Sequence, residues 1–353
     1  QKGTGKEQGR EARFTEDVPG NLNKESLGAL LRQGIFSLCG NIERFVLLLN
    51  IICFLNLKEQ IMLRRYKVNT KLFRYISFED FINLTINNKD RFVRPSSWED
   101  KYEGYLFSHM ETPEDVHQIV SEMYYNLCPR NYYAIPDNYF RMWHSKWFTY
   151  AQCWSKHPKT DAMWRCYSYG NRAIRIRTRD DKLLVHTKKI FPDEEQFSVY
   201  LEKVSYDLNK KSVLEQQIRQ MKDSLLAHET YFHKRPAFRH EGEYRLLIAD
   251  NSLYSAEGFS SFGVKFKIEE QVKNKTDEEI IEYVTNRICA QRPDWNRKGD
   301  NNVRIEDAGD ISEFLESVMV HPLAPQWYVD IIRDICQSKK IKFDGQSEIY
   351  TLK

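Results

Sequence analysis

The sequence predicts an α+β fold: mixed or antiparallel sheets with helices packed around them, in a single globular domain. Three observations lead there. Short stretches of period-two alternation, such as Ile174 to Arg179, are scattered among helix-like segments of uneven length. No internal repeat or regular βα alternation appears. The chain also holds 20 Tyr, 20 Phe and 7 Trp, enough apolar material for a sizeable core.

The elements follow in order. Leu72–Tyr75 is a short strand, and Ser77 opens a helix with Asp80 placed to return the cap bond. Phe78, Phe81, Ile82 and Thr85 share one face of it. Arg91–Arg94 is a strand stopped by Pro95, and a loop from Ser96 to Gly104 carries Trp98, Glu99, Asp100 and Glu103. Residues 113–127 are helical, and 129–142 are a loop leading into a helix.

Tyr150–Trp154 is a buried strand, and Thr160 or Asp161 caps a short helix with Met163, Trp164 and Tyr167. After a Gly170-Asn171 turn, Ile174 and Ile176 point one way and Arg175, Arg177 and Arg179 the other. Val199–Tyr206 is a strand, and Lys211 to about His233 is the longest helix. A strand carries Glu243 and Arg245 against Tyr244, Leu246 and Ile248. Phe262–Ile268 is a further strand, followed by a polar insert at 269–310. The chain closes with a strand at Ser317–Val320, a helix at Pro325–Gln337 and a strand at Glu348–Leu352.

Residues 1–61 are set apart. The first 26 are polar and Gly-rich without a period, the composition of a disordered extension. The apolar run from Phe45 to Leu57 is shorter than the roughly 20 residues a spanning helix needs. Lys58-Glu59 codons before Met62 can spell a ribosome-binding sequence, so residues 1–61 are expected to be either disordered or mis-annotated. The domain is then 62–353.

Seven cysteines without a Cys-x-x-Cys pair give neither a disulfide framework nor a zinc site, and imply reduced thiols in a cytoplasmic protein. His144, His228, His233 and His240 make no metal pair, so no metal is expected. A net charge of +3 gives no whole-protein argument for nucleic acid. No Walker or Rossmann glycine pattern occurs.

Several landmarks resemble a known family. They are the Leu72-Phe73-Arg74-Tyr75 strand, the Trp98-to-Glu103 loop, Cys153-Trp154-Ser155 with Met163-Trp164, and the Lys234-Arg235…Glu241-x-Glu243-x-Arg245 block. Val318 to Pro322 completes the set. In this order they are similar to the bacterial family called domain of unknown function 2971 (DUF2971), over roughly residues 66–353. The resemblance implies a bacterial or phage protein, of a kind often linked with defence, and supplies no reaction.

Arg74, Ser155 and the Glu241-x-Glu243 pair further resemble the Arg–Ser–Glu signature of ADP-ribosyltransferases. That resemblance implies an ADP-ribosyltransferase-like or NAD-consuming effector acting on NAD and an unknown acceptor. Arg74 would clamp the diphosphate with its planar fork. Glu243 would stabilise the oxocarbenium-like cation through the ribose 2′-hydroxyl, and Glu241 would accept a proton. Ser155 would buttress Glu243 or the ribose, while Tyr75, Trp154 or Trp164 would stack on nicotinamide.

Structural roles stand beside these. Glu243 suits an ion pair with Arg245, and Arg74 suits Glu99, Asp100 or Glu103. Ser155 suits a turn, both tryptophans suit the core, and Cys153 suits a buried small hydrophobe rather than a nucleophile with His157. The stripe Arg175, Arg177 and Arg179 offers a second class of function, a nucleic-acid-binding effector tracking a phosphate backbone. A third is a non-catalytic interaction domain.

Overall fold

The computed structural model describes residues 69–127, 132, 134–168, 170–208, 213–224, 227–251, 272–291 and 302–351, all within one unit, Val68–Lys353. The apolar run at 45–57 and the strand expected at 262–268 lie outside the described residues. So does the expected boundary at residue 61.

A nine-stranded sheet forms the centre. Its strands are β1 (Lys71–Ile76), β2 (Lys89–Val93), β3 (Thr149–Ser155), β4 (Ile174–Arg179), β5 (Phe197–Lys203), β6 (Glu243–Asp250), β7 (Val303–Asp307), β8 (Ser317–Val320) and β9 (Lys342–Gln346). The main path runs β5-β6-β3-β1-β4-β8-β9. Among these nine strands every pairing is antiparallel except β8 with β9. One edge of β3 forks: Ser155 pairs with Phe73 of β1, and Ala151 pairs with Val93 of β2, which leads out to β7.

The period-two rule sorts the sheet into two faces. On one, Leu72, Trp154, Ile174, Ile176, Leu246 and Ile248 form a core. It is closed by helices α1 (Phe78–Thr85), α6 (Asp180–Ile190) and α9 (Gln326–Ser338). The other face carries two clusters. Ala151 and Leu247 pack under α2 (Tyr105–Ser108), α3 (Pro113–Glu122), α4 (Ala134–Phe148), α7 (Val213–Ser224) and α8 (Asp277–Gln291). Phe73 and Tyr75 pack under α5 (Asp161–Cys166) with Met163 and Trp164.

Local chemistry accounts for the element ends. Ser77 caps α1 by accepting the Asp80 N–H at 3.1 Å, and Thr160, not Asp161, caps α5 at 3.2 Å from the Met163 N–H. Thr112 and Asp115 form a reciprocal capping box on α3.

Three expectations are corrected. The long helix placed at Lys211–His233 is α7, ending at Ser224, followed by a separate 3-10 helix at Ala227–Phe232. The polar insert at 269–310 contains α8 and β7. The last strand is Lys342–Gln346, not Glu348–Leu352. Cys153, Cys166, Cys289 and Cys336 are free thiols. Among the described residues no helix is long and apolar enough to cross a membrane, and no group of three His, Cys, Asp or Glu is placed to hold a metal.

Candidate functional site

Where α5 and the charged end of β6 meet, a small pocket opens to solvent. β1 contributes Phe73 and Tyr75, and β3 contributes Cys153, Trp154 and Ser155. The α5 side supplies Met163 and Tyr167, and the far wall is Lys234, Glu241 and Glu243. The sheet register explains the grouping. Phe73 pairs with Ser155, and Ser155 pairs with Glu243, so all three side chains leave the same face.

Behind the charged wall lies an ion cluster. Lys234 Nζ contacts Glu241 Oε2 at 2.6 Å, Glu103 Oε1 at 3.0 Å and Glu243 Oε2 at 3.3 Å. Arg245 has no exposed surface, and its guanidinium bonds both oxygens of Glu243 at 2.7 and 2.8 Å. It also bonds Glu103 at 2.7 Å and the Tyr231 carbonyl, and lies 4.4 Å over the Trp98 ring. Charges this deep require such pairing. Three carboxylates (Glu103, Glu241, Glu243) share two cations (Lys234, Arg245), leaving one negative charge in excess.

The two glutamates are not equivalent. Burial pushes the Glu243 carboxyl up, but Arg245 and Lys234 outweigh it and hold it down at about 2. Glu243 is a fixed anion whose lone pairs are taken. Glu241 keeps part of its side chain exposed at the pocket mouth. Burial raises its carboxyl above the ordinary value, against the pull of Lys234, and the charges of Glu243 and Glu103 add to the rise. Of the pair, Glu241 is the one equipped to exchange a proton.

Backbone chemistry places Glu241. The Ser155 hydroxyl donates to the Glu241 carbonyl at 2.6 Å and accepts the His157 N–H at 3.0 Å. The Lys156 N–H donates to the Gly242 carbonyl at 3.0 Å. Gly242 has φ +52°, and a side chain there would run into the His157 ring, so the approach of the two segments requires glycine.

The structure therefore brings Ser155, Glu241, Glu243, Tyr75 and Trp154 to the lining of one pocket and leaves Arg74 out of it. β1 sends Phe73 and Tyr75 to the pocket face, so Arg74 emerges on the opposite face. There it bonds Asp90 at 3.0 Å and the Arg91 carbonyl at 3.1 Å, bridging the fork between β1 and β2. Its expected convergence with Ser155 and Glu243 does not occur, and its carboxylate partner is Asp90 rather than Glu99, Asp100 or Glu103.

The Trp154 ring belongs to the core on the Arg74 face, its N–H donating to Gln152 at 3.3 Å. Trp164 is fully buried behind Tyr75, edge to face at 4.9 Å. Tyr75 and Tyr167 are the rings that face each other at the pocket, stacked at 6.3 Å. Cys153 is half-buried beside Glu243, and desolvation, then the Glu243 charge, push its thiol up, away from a nucleophile's range.

The arginine stripe is paired with acidic and carbonyl partners. Arg175 is buried, with the Pro158 carbonyl and Asp344 as partners. Arg177 meets Glu316 and Asp344, and Arg179 meets Asp181 and Glu316.

Sequence reasoning assigned no role to Lys234, and gave Glu103 only to Arg74. Met163 and Tyr167 were placed on the α5 segment but not at a site. A usable signal existed for Phe73, which stands two residues before Tyr75 on the same strand face.

Residues 163–246 match a family model described as Protein of unknown function (DUF2971). No curated protein and no solved structure matches the chain. The matched stretch holds Lys234, Glu241, Glu243 and Arg245, while β1, Glu103 and Ser155 lie before it. From α5 to the middle of β6, where most of the ion cluster is encoded, this chain is thus similar to the DUF2971 family.

Proposed function

We propose that this protein is an NAD-consuming enzyme of the ADP-ribosyl-transferring kind, with Glu241 as its reacting carboxylate and Glu243 as the anchor that holds the cluster. The observation that carries this reading is Glu241: a carboxylate at the mouth of an aromatic-walled pocket, made more basic than usual by burial and by the excess negative charge behind it.

The chemistry follows from the charge balance. Breaking the bond between the ribose carbon and the nicotinamide nitrogen leaves the electron pair on nicotinamide and a cation on the ribose. A pocket with one uncompensated negative charge stabilises that cation as it forms. The oxygen of water, or of an acceptor hydroxyl, bonds to the ribose carbon and loses its proton to Glu241. Tyr75 and Tyr167 offer ring faces to the nicotinamide, the part expected of Tyr75, Trp154 or Trp164. Arg74 has no part in the pocket, so the Arg–Ser–Glu parallel supports the reading only through Ser155 and the glutamates. The nucleic-acid reading has less support, because each arginine of its stripe already has carboxylate partners.

The test is purified full-length protein incubated with NAD, alone and with cell lysate as a source of acceptor, following free nicotinamide. Release is expected. None in either condition overturns the reading.

A further inference from the structure

The pocket carboxylate is not governed by its nearest neighbours alone. Glu103, on the loop after β2, touches both cations of the cluster: Lys234 at 3.0 Å and Arg245 at 2.7 Å. The loop is pinned beside it. Asp100 forks onto Arg235 at 2.9 and 3.3 Å, Tyr102 lies 4.4 Å under the same guanidinium, and Trp98 lies 4.4 Å under Arg245. Glu103 is buried, so little solvent screens its charge from the cluster.

We propose that Glu103 is a positioning residue for Glu241: by sharing Lys234 it keeps that ammonium from neutralising the pocket carboxylate, so the loop from Trp98 to Glu103 sets how strong a base Glu241 is. With Glu103 charged, three carboxylates divide two cations. With Glu103 neutral, Glu243 retains Arg245 and Lys234 is divided only between Glu241 at 2.6 Å and Glu243 at 3.3 Å, so Glu241 becomes a weaker base. The other groups around Glu241 stay constant in this comparison. They are Lys234 itself, Glu243 on β6, Tyr206 after β5 and Tyr167 after α5, with Lys156 and His157 against Gly242. The inference rests on Glu241 being the reacting carboxylate of the proposed function.

The experiment is a titration of the Glu241 Cδ resonance in full-length protein labelled with carbon-13 glutamate, assigned by its loss in Glu241→Gln. Glu103→Gln should lower the Glu241 midpoint by about one pH unit, while Glu103→Asp, which keeps the charge, stays nearer the wild type. A midpoint unmoved in folded Glu103→Gln overturns the proposal. So does an equal fall in both variants, which would indicate lost packing rather than lost charge. Where Glu103→Gln does not fold, Asp100→Asn, which unpins the loop from Arg235, carries the test: the Glu241 midpoint should fall in the same direction, and an unmoved midpoint overturns the proposal. No turnover is needed for these readouts. Absence of nicotinamide release with the coupling intact removes the enzyme reading alone, and release with no coupling removes this one alone.

Discussion

Lys234 holds Glu241 at 2.6 Å, the shortest of its three carboxylate contacts, while Arg245 holds Glu243 through both oxygens. Two glutamates two residues apart, Glu241 closing a 3-10 helix and Glu243 opening β6, thus have different main partners, and substitutions should separate them.

Glu241→Gln should melt within about 1 kcal/mol of the wild type, because its partner Lys234 keeps Glu103 and Glu243. Nicotinamide release should fall by about 10² or more. Glu243→Gln should cost about 3–5 kcal/mol, since it leaves a fully buried guanidinium short of its counter-charge. Urea melts run beside the release assay read both, and the reverse pattern would return Glu243 to the reacting role.

Acid should destabilise the protein through Glu243. Its folded carboxyl sits at about 2 against an ordinary 4.5. A depressed folded value adds stability that is complete above about pH 4.5 and disappears as pH falls toward 2, on the order of 3 kcal/mol. Glu241 has the opposite sign: its raised carboxyl costs stability as pH climbs past 4.5. The urea midpoint of wild type should drop across this acid window and that of Glu243→Gln should be flatter. Parallel curves would sink the assignment.

Arg74→Ala should lower stability by about 2–3 kcal/mol, because Asp90 is nearly buried and loses its guanidinium at the fork. Nicotinamide release by the folded variant should match the wild type. A stable variant with weakened NAD binding would instead favour the diphosphate clamp.

The legible parts of the sequence were those where one strand declares itself. The Ile174/Arg175 alternation fixes both faces of β4, and Glu241-x-Glu243 marks the pocket wall, although the strand begins only at Glu243 and Glu241 closes the 3-10 helix before it. What stayed hidden depends on distant partners. Glu103 and Arg245 are 142 residues apart, and nothing local says which cation a loop glutamate will meet. The same holds for Arg74, whose face is chosen by pocket residues two strands away.

Helix α8 is a different kind of miss. Thr276 and Glu279 cap each other reciprocally, and Ile280, Ile281, Val284 and Ile288 form its buried stripe, yet the polarity of the insert masked a helical period that was present. Ser155, Trp154 and Trp164 took the structural roles also open to them, since a turn hydroxyl and two large rings find partners wherever the chain packs.

The ion cluster has a kinetic consequence as well. Its five charges come from a loop near residue 100 and from the segment Lys234–Arg245 that leads into β6, and no subset of them can be dehydrated cheaply. An intermediate with β6 docked but the Trp98–Glu103 loop still wet would strand Arg245 and Lys234 short of a counter-charge. Closure of this long chain loop and burial of the charges must therefore occur together, which places the assembly of the pocket wall among the last and most cooperative events of folding.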